Sequence, residues 1–146
     1  MDYREYAKDL LGRKKTLISA YSVIKTELEQ LEQEKYSCKT LMSNLNAEDA
    51  EKNAVYEERL INILADLEDC RFRCGIVQRE LTKIEKGINS LSDYYRDIIE
   101  MFFVERAPYA ADELMERWYK ERSGLYRDRS KALEQFTRSV YGIVEI

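Results

Sequence analysis

The 146-residue sequence contains no histidine, one proline, five glycines and three cysteines. The absence of histidine removes the commonest general base and the commonest zinc ligand. No apolar run approaches the ~20 residues that a membrane-spanning helix needs. The first fifteen residues also lack the apolar core of a signal peptide. These features predict a soluble cytoplasmic protein that does not associate with a membrane and has no cofactor.

The three cysteines, Cys38, Cys70 and Cys74, form no CxxC pair, which disfavours a disulfide framework and a zinc knuckle. Cys70 and Cys74 lie four residues apart and therefore share one face of a helix. That spacing would also suit a redox pair or half of a metal site. We interpret these cysteines as small apolar residues in a seam between helices.

Charged residues make up 36% of the chain and hydrophobic residues 45%, a composition that predicts long helices and an all-α fold. The first periodic segment predicts a helix over residues 2–36. Its apolar side chains recur at steps of three and four, as in a coiled coil, and Lys14 occupies the one skipped position. The seam residues are Tyr3, Tyr6, Leu10, Leu17, Tyr21, Ile24, Leu28 and Leu31.

The next segment, residues 37–46, loses this period and reads as the connection of an antiparallel helical hairpin. Asn46 is the expected N-cap of a second helix over residues 47–89. Apolar residues alternate there at steps of four and three without a break. They are Tyr56, Leu60, Ile63, Leu67, Cys70, Cys74, Val77, Leu81, Ile84, Ile88 and Leu91.

Four further apolar residues of the second helix, Ile61, Leu64, Phe72 and Ile76, are interpreted as widening this stripe. A stripe that wide needs more than one neighbouring helix. A second copy of the hairpin would supply it, which predicts a homodimer through the coiled segment. The alternative is that the C-terminal module covers the remaining apolar surface.

A domain boundary is expected near residues 90–93, giving a hairpin domain over 1–90 and a C-terminal module over 91–146. Three short amphipathic helices are predicted in the module, at 93–105, 109–119 and 124–140. The stretch 120–124 contains Gly124 and supplies the turn before the last helix. Two short helices joined by a tight turn, with a third packed behind them, predict a helix-turn-helix.

The charge distribution supports a DNA-binding interpretation of this module. Residues 117–139 contain seven basic and three acidic residues, a net charge of +4, whereas the whole chain carries −4. The candidates for base contacts are Tyr126, Arg127, Ser130 and Lys131, near the start of the last helix. The candidates for phosphate contacts are Lys120, Arg122, Ser123 and Arg138. Arg129 projects near the apolar side and is expected to snorkel or to pair with a carboxylate.

Residues 91–105, 111–118 and 123–142 resemble the C-terminal half of phage and prophage late transcription activators of the ArpU/RinA type. The most telling pieces are Leu125-Tyr126-Arg127, Lys131-Ala132-Leu133 and Tyr141-Gly142. In that family the C-terminal part is similar to region four of bacterial sigma factors. The resemblance implies a prophage regulator that binds promoter DNA and contacts RNA polymerase.

Two other functions remain open from the sequence. The acidic hairpin could act alone as a protein-interaction adaptor or anti-activator, and a phage DNA-packaging component would also join a helix-turn-helix to oligomerising helices. An enzyme is not expected. The sequence contains no Gly-rich phosphate loop, no nucleophile placed with a base and no metal-ligand spacing.

Overall fold

The computed structural model describes residues 2–143 and confirms the all-α fold, with no strand in that range. Six α-helices and one π-helical segment follow one another along the chain. They are α1 (Tyr3–Gly12), α2 (Lys14–Ser43), α3 (Ala50–Asn89), α4 (Asp93–Ile99), the π-helical segment (Glu100–Val104), α5 (Ala110–Trp118) and α6 (Arg122–Tyr141).

The chain divides into two compact units. The hairpin unit comprises Ser19–Gln78, and the terminal unit combines residues 2–18 with residues 79–143 of the described chain. This division differs from the predicted boundary near residue 90. The N-terminal helix and the last part of α3 belong with the C-terminal helices, because their apolar residues share one core with them.

The hairpin unit is held together by the seam that the heptad pattern predicts. Its buried core consists of Ile24, Leu31, Cys38, Ile63, Leu67 and Cys70. The Cys70 thiol donates to the carbonyl oxygen of Ile24 at 3.6 Å, and burial raises its pKa. In residues 2–143 none of the three cysteines is in a disulfide. The interpretation of the cysteines as seam residues is therefore confirmed.

The connection of the hairpin is shorter than predicted, because α2 continues to Ser43. Cys38 is buried in the seam, and its thiol donates to the carbonyl oxygen of Tyr56 at 3.3 Å. The second helix begins at Ala50, and the predicted cap at Asn46 is wrong. The backbone N–H of Asn46 instead donates to the Asp49 carboxylate at 3.0 Å, directly before α3.

The first predicted helix is divided at Arg13. Gly12, a poor helix former, ends α1, and Lys14 begins α2. Lys14 is the residue that interrupts the predicted seam, and its ammonium binds the Glu100 carboxylate at 2.9 Å. The break lies inside the terminal unit, because Leu17, which follows it, still packs against that unit's core.

The core of the terminal unit combines α1, the end of α3 and all the helices after residue 90. Ala7 and Leu11 are buried there, although the heptad pattern does not include them in the seam. Tyr6 belongs to the predicted seam but is 47% exposed, so that expectation is wrong. Tyr3 packs on Tyr141 with ring centroids 5.5 Å apart.

A close approach between α3 and α6 depends on Gly87. A Cβ atom at this position would lie 2.5 Å from the Phe136 ring and 2.7 Å from a Val140 methyl carbon. Phe136 is fully buried, so its ring has no solvent into which it could move. The absence of a side chain at Gly87 lets the two helices pack this tightly.

Three of the four apolar residues that were expected to widen the stripe of α3 lie on its other side. Helical geometry of 100° per residue places Ile61, Phe72 and Ile76 roughly opposite the buried seam, whereas Leu64 lies about 90° from the centre of the seam. All four are exposed, by 66%, 45%, 65% and 42%, respectively. They are not part of the buried core of the hairpin unit. We call these residues the outer strip.

Candidate nucleic-acid interface

The connection between α5 and α6 is three residues long, from Tyr119 to Glu121. Tyr119 adopts the left-handed conformation with φ 53° and ψ 48°. The N–H of Lys120 then bonds to the carbonyl oxygen of Met115 at 3.1 Å, which ends α5. The prediction of a turn at 120–124 is corrected here, because Gly124 lies inside the first turn of α6.

Two carboxylates on neighbouring helices fix α5 and α6 against α4. Asp97 of α4 accepts hydrogen bonds from the Trp118 indole at 2.9 Å and from Arg117 at 3.0 Å. Asp128 of α6 accepts a hydrogen bond of 2.8 Å from the Tyr94 hydroxyl. Burial and this bond to a carboxylate raise the pKa of Tyr94. Helices α4, α5 and α6 therefore pack on one another as three elements, which is the arrangement of a helix-turn-helix with its supporting helix.

The buried side of α6 is the predicted one. Leu125, Ala132, Leu133 and Phe136 are buried, and Val140 is partly buried. Thr137 is buried with them, and its hydroxyl donates to the carbonyl oxygen of Leu133 at 2.6 Å. Because these residues occupy one side of α6, its other side is left for solvent.

The exposed side of α6 carries four of the predicted contact residues in one row. At 100° per residue, Ser123, Arg127, Lys131 and Arg138 fall within roughly 80° around the helix. Glu134 lies in the same arc, and its carboxylate is 3.7 Å from the Arg4 guanidinium. All four predicted contact residues are exposed, and none of the three cations forms an ion pair with another residue of the described range. We call this row the basic row. It is about 16 Å long from Arg127 to Arg138, at 1.5 Å per residue.

The other two predicted base contacts lie beside the basic row. Tyr126 is half-buried, and its ring packs against Phe102 with centroids 6.0 Å apart. Ser130 is exposed, and its hydroxyl donates to the carbonyl oxygen of Tyr126 at 3.3 Å. Tyr126 therefore contributes to packing, whereas Ser130 remains on the surface beside Arg127 and Lys131.

Two predicted phosphate contacts are engaged within the protein. Lys120 lies 4.0 Å from the Asp128 carboxylate and 5.2 Å from the centre of the Tyr94 ring. Arg122 binds the Asp112 carboxylate at 3.1 Å. Both pairs are at the surface, where such pairs contribute little stability, so either side chain can exchange its partner for a phosphate.

Several basic residues near α6 were not identified as contacts from the sequence. The guanidinium of Arg129 stacks over the rings of Tyr126 and Phe102, at 4.5 and 5.1 Å from their centres. This agrees with its predicted position near the apolar side. Arg4, Lys8 and Arg106 line a pocket beside Arg129. No local pattern identifies these three residues, because they are distant from α6 along the chain.

Among residues 2–143, no group of three or more potential metal ligands comes together. In the same range no helix has the length and apolar character to cross a membrane. Comparison with known proteins adds no relative: no family model, no curated protein and no solved structure matches this chain.

Proposed function

We propose that this chain is a DNA-binding transcriptional regulator that reads duplex DNA with the exposed side of α6. The observation that carries the proposal is the basic row on the second of two helices joined by a three-residue turn. A helix presented in this way fits the major groove, which is wide enough for one α-helix.

Electrostatics supports the same surface. The chain as a whole carries a charge of −4, so a polyanion is repelled by most of it and attracted only where cations collect. Arg127, Lys131 and Arg138 have no carboxylate partner in the described chain to compete with a phosphate. DNA binding through the basic row would therefore break no existing ion pair.

The position of each residue along α6 suggests its role. Arg127, Ser130 and Lys131 lie in the first half of the helix, from which recognition helices reach base edges. Arg127 can form the bidentate contact to guanine that arginine commonly makes. Ser123 and Arg138 lie toward the ends of the row and would contact phosphates on either side of the groove.

A titration of duplex fragments surrounding the protein's own gene, followed by fluorescence anisotropy, tests this proposal. We expect Arg127→Gln to weaken binding of the preferred fragment by about 10-fold or more and to reduce discrimination among fragments. Arg138→Gln should weaken the binding of all fragments equally. It should also lower the salt dependence of binding by about one released counterion.

The matched control is Arg59→Gln, which removes an exposed arginine from the hairpin unit. Binding should be unchanged in this variant. If the wild-type protein binds no duplex even at low salt, or if Arg59→Gln weakens binding as much as Arg127→Gln does, the proposal is wrong.

The biological setting of the proposal rests on the resemblance to ArpU/RinA-type activators. Under it the protein is a cytoplasmic regulator of phage or prophage genes that contacts RNA polymerase. A pull-down of purified polymerase by the wild-type protein, with and without promoter DNA, tests the contact. If Arg59→Gln and Arg138→Gln abolish retention of polymerase equally, the retention is due to nonspecific charge. That result would contradict the proposed polymerase contact.

The outer strip of α3 favours a second proposal, a homodimer formed through the hairpin unit. Two copies of α3 packed antiparallel about a point between residues 68 and 69 would place Ile61 against Ile76 of the other copy. The same register sets Ala65 against Phe72, a small residue against a large one. This register also sets Glu68 against Asp69 of the other copy at the two-fold axis, so the apolar pairs lie on either side of a like-charge contact. This surface would equally serve the alternative adaptor function.

Sedimentation analysis of Phe72→Glu tests the dimer. Phe72 is 65% exposed, so the charge should prevent association without disturbing the fold. Val23→Glu is the matched control, because Val23 is 68% exposed on the other helix of the hairpin. A wild-type monomer at micromolar concentration, or a dimer that persists in Phe72→Glu, would contradict this proposal.

A further inference from the structure

The terminal unit contains a pocket of about 460 Å³ beside α6, and its charge is unbalanced. Side chains from α1, from the segment around residues 103–106 and from α6 line it. Four of them are cationic and two are acidic: Arg4, Lys8, Arg106, Arg129, Asp2 and Glu5. The lining side chains therefore carry a formal excess of two positive charges, and outside the lining the Glu134 carboxylate lies 3.7 Å from Arg4.

The two acidic groups are already paired with two of the four cations. Asp2 accepts hydrogen bonds from Arg4, which lower the pKa of its carboxyl group. Lys8 binds Glu5 at 3.1 Å. The positive excess thus resides on Arg106 and Arg129, neither of which forms an ion pair or a side-chain hydrogen bond within the described residues.

Arg129 is held in place without a carboxylate. Its guanidinium lies over Tyr126 and Phe102, whose rings contact the flat face of the group. Stacking uses the faces of a guanidinium and leaves its N–H groups at the edge available as donors. Arg129 therefore offers hydrogen-bond donors in a fixed position.

Arg106 is placed by an unusual backbone conformation. Its φ of 50° lies in the left-handed region, which is costly for a residue with a side chain. Its guanidinium crosses Gly12 so closely that a Cβ atom there would lie 2.3 Å from a guanidinium nitrogen. The conformation of Arg106 and the missing side chain at Gly12 together place this guanidinium against the C-terminal end of α1, and Arg106 is one of the residues that line the pocket.

We propose that Arg106 and Arg129 bind the phosphate group of a phosphate ester in this pocket. Two guanidinium groups with uncommitted N–H donors match the oxygens of a phosphate. The volume is in the range of small-molecule sites and exceeds what one phosphate fills. Phe103 and Leu133 also line the pocket and provide apolar surface for the body of the ester.

The phosphate could belong to a free nucleotide or to a strand of bound DNA. Ser130 lines the pocket and also lies beside the basic row, so a nucleotide of a duplex on α6 is within reach. Binding of a free phosphate ester requires no DNA-binding activity and is therefore independent of the function proposed above. Binding of a DNA phosphate rests on that function.

Binding of inorganic phosphate and adenosine 5′-monophosphate by the full chain tests the pocket. At tenfold excess over Kd we expect adenosine 5′-monophosphate to raise Tm by roughly 3–5 °C, with adenosine giving no shift. Arg106→Asn should weaken binding about 10-fold or more, because asparagine tolerates the left-handed backbone but lacks the guanidinium. Arg129→Lys keeps the charge, loses the fork of donors and should also weaken binding.

Two further variants sharpen the interpretation. Gly12→Ala should weaken binding while keeping every charge, because the added methyl group displaces the Arg106 guanidinium. Arg59→Gln, in the hairpin unit, should bind as the wild type does. Equal weakening by Arg59→Gln would show a general charge effect and would overturn the proposal.

The source of the phosphate follows from a DNA titration of the same variants. If Arg106→Asn weakens duplex binding and lowers the salt dependence by about one counterion, the phosphate belongs to the DNA backbone. If it weakens only binding of the mononucleotide, the ligand is a free ester. The proposal is wrong if Arg106→Asn binds phosphate, the mononucleotide and DNA as tightly as the wild type does. This conclusion holds even if the Arg127→Gln variant shows that the protein binds DNA through α6.

Discussion

The hairpin unit and the terminal unit contain the same types of apolar residue, but they arrange these residues differently in their cores. In the hairpin unit two long helices meet along one seam, and the buried residues recur at steps of seven on α2 and of four and three on α3. In the terminal unit short helices from both ends of the chain surround one core, and Phe136 contacts the backbone of α3 at Gly87. The core of the hairpin unit consists of similar contacts that recur along both helices. The core of the terminal unit depends on individual contacts that each occur once.

This difference teaches where substitutions should do most harm. A repeated seam distributes its burial over many similar contacts, so the loss of one side chain leaves the others in register. A core of single contacts contains positions at which volume and shape are fixed by one neighbour. The largest and most localised effects are therefore expected in the terminal unit.

Removal of one large core side chain from each unit should show the largest effect. We expect Phe136→Ala to lower the free energy of unfolding by about 3–5 kcal/mol and Leu67→Ala by about 2–5 kcal/mol. Both side chains are fully buried. Hydrogen exchange should show each loss of protection mainly in the unit that contains the substitution. Equal loss in both units from either variant would contradict the comparison.

Addition of one methyl group should have opposite effects at two glycines. Gly87→Ala should destabilise the protein by about 1–3 kcal/mol, because the new Cβ would overlap the buried Phe136 ring. Gly124→Ala should stabilise α6 by about 0.5–1 kcal/mol, because nothing lies within 4 Å of its Cβ position. Chemical denaturation followed by the single tryptophan, Trp118, measures both. A stabilising Gly87→Ala would show that the helices can separate freely.

Loss of the Tyr94 hydroxyl should have a small effect that depends on pH. Tyr94→Phe removes the hydrogen bond to Asp128 and should cost about 1 kcal/mol at pH 7. Folding raises the pKa of Tyr94, so its contribution is complete below about pH 10 and is lost as pH rises through the folded value. The difference between wild type and variant should therefore shrink above pH 10. A difference that stays constant to pH 12 would contradict this linkage.

The sequence predicted the parts of the fold that repeat. The 4–3 alternation of α3 identified Ile63, Leu67 and Cys70 as core, and the end of that helix was correct to the residue at Asn89. The amphipathic pattern also identified the buried side of α6. These predictions succeed because the period of a helix places residues on a face whatever its neighbour is.

The parts that the sequence did not predict depend on contacts between distant segments. Nothing near Ala7 or Leu11 shows that they share a core with Phe136, and the turn at Tyr119 adopts a conformation that favours glycine without containing one. Three residues of the outer strip, Ile61, Phe72 and Ile76, lie on the side of α3 opposite the seam, although the apolar pattern assigned them to the same stripe. Arg106 carries no local signal, since its position depends on its own backbone and on Gly12.

The inclusion of α1 in the terminal unit has a practical consequence for dissecting the protein by truncation. A fragment that starts at residue 91 would lack Ala7, Leu10 and Leu11, together with Ile84 and Ile88, and would expose apolar surface that they cover. Loss of activity in such a fragment would then report unfolding rather than the location of the active surface. Inserting a flexible linker in place of residues 19–78 would preserve both halves of that core and is the more informative deletion.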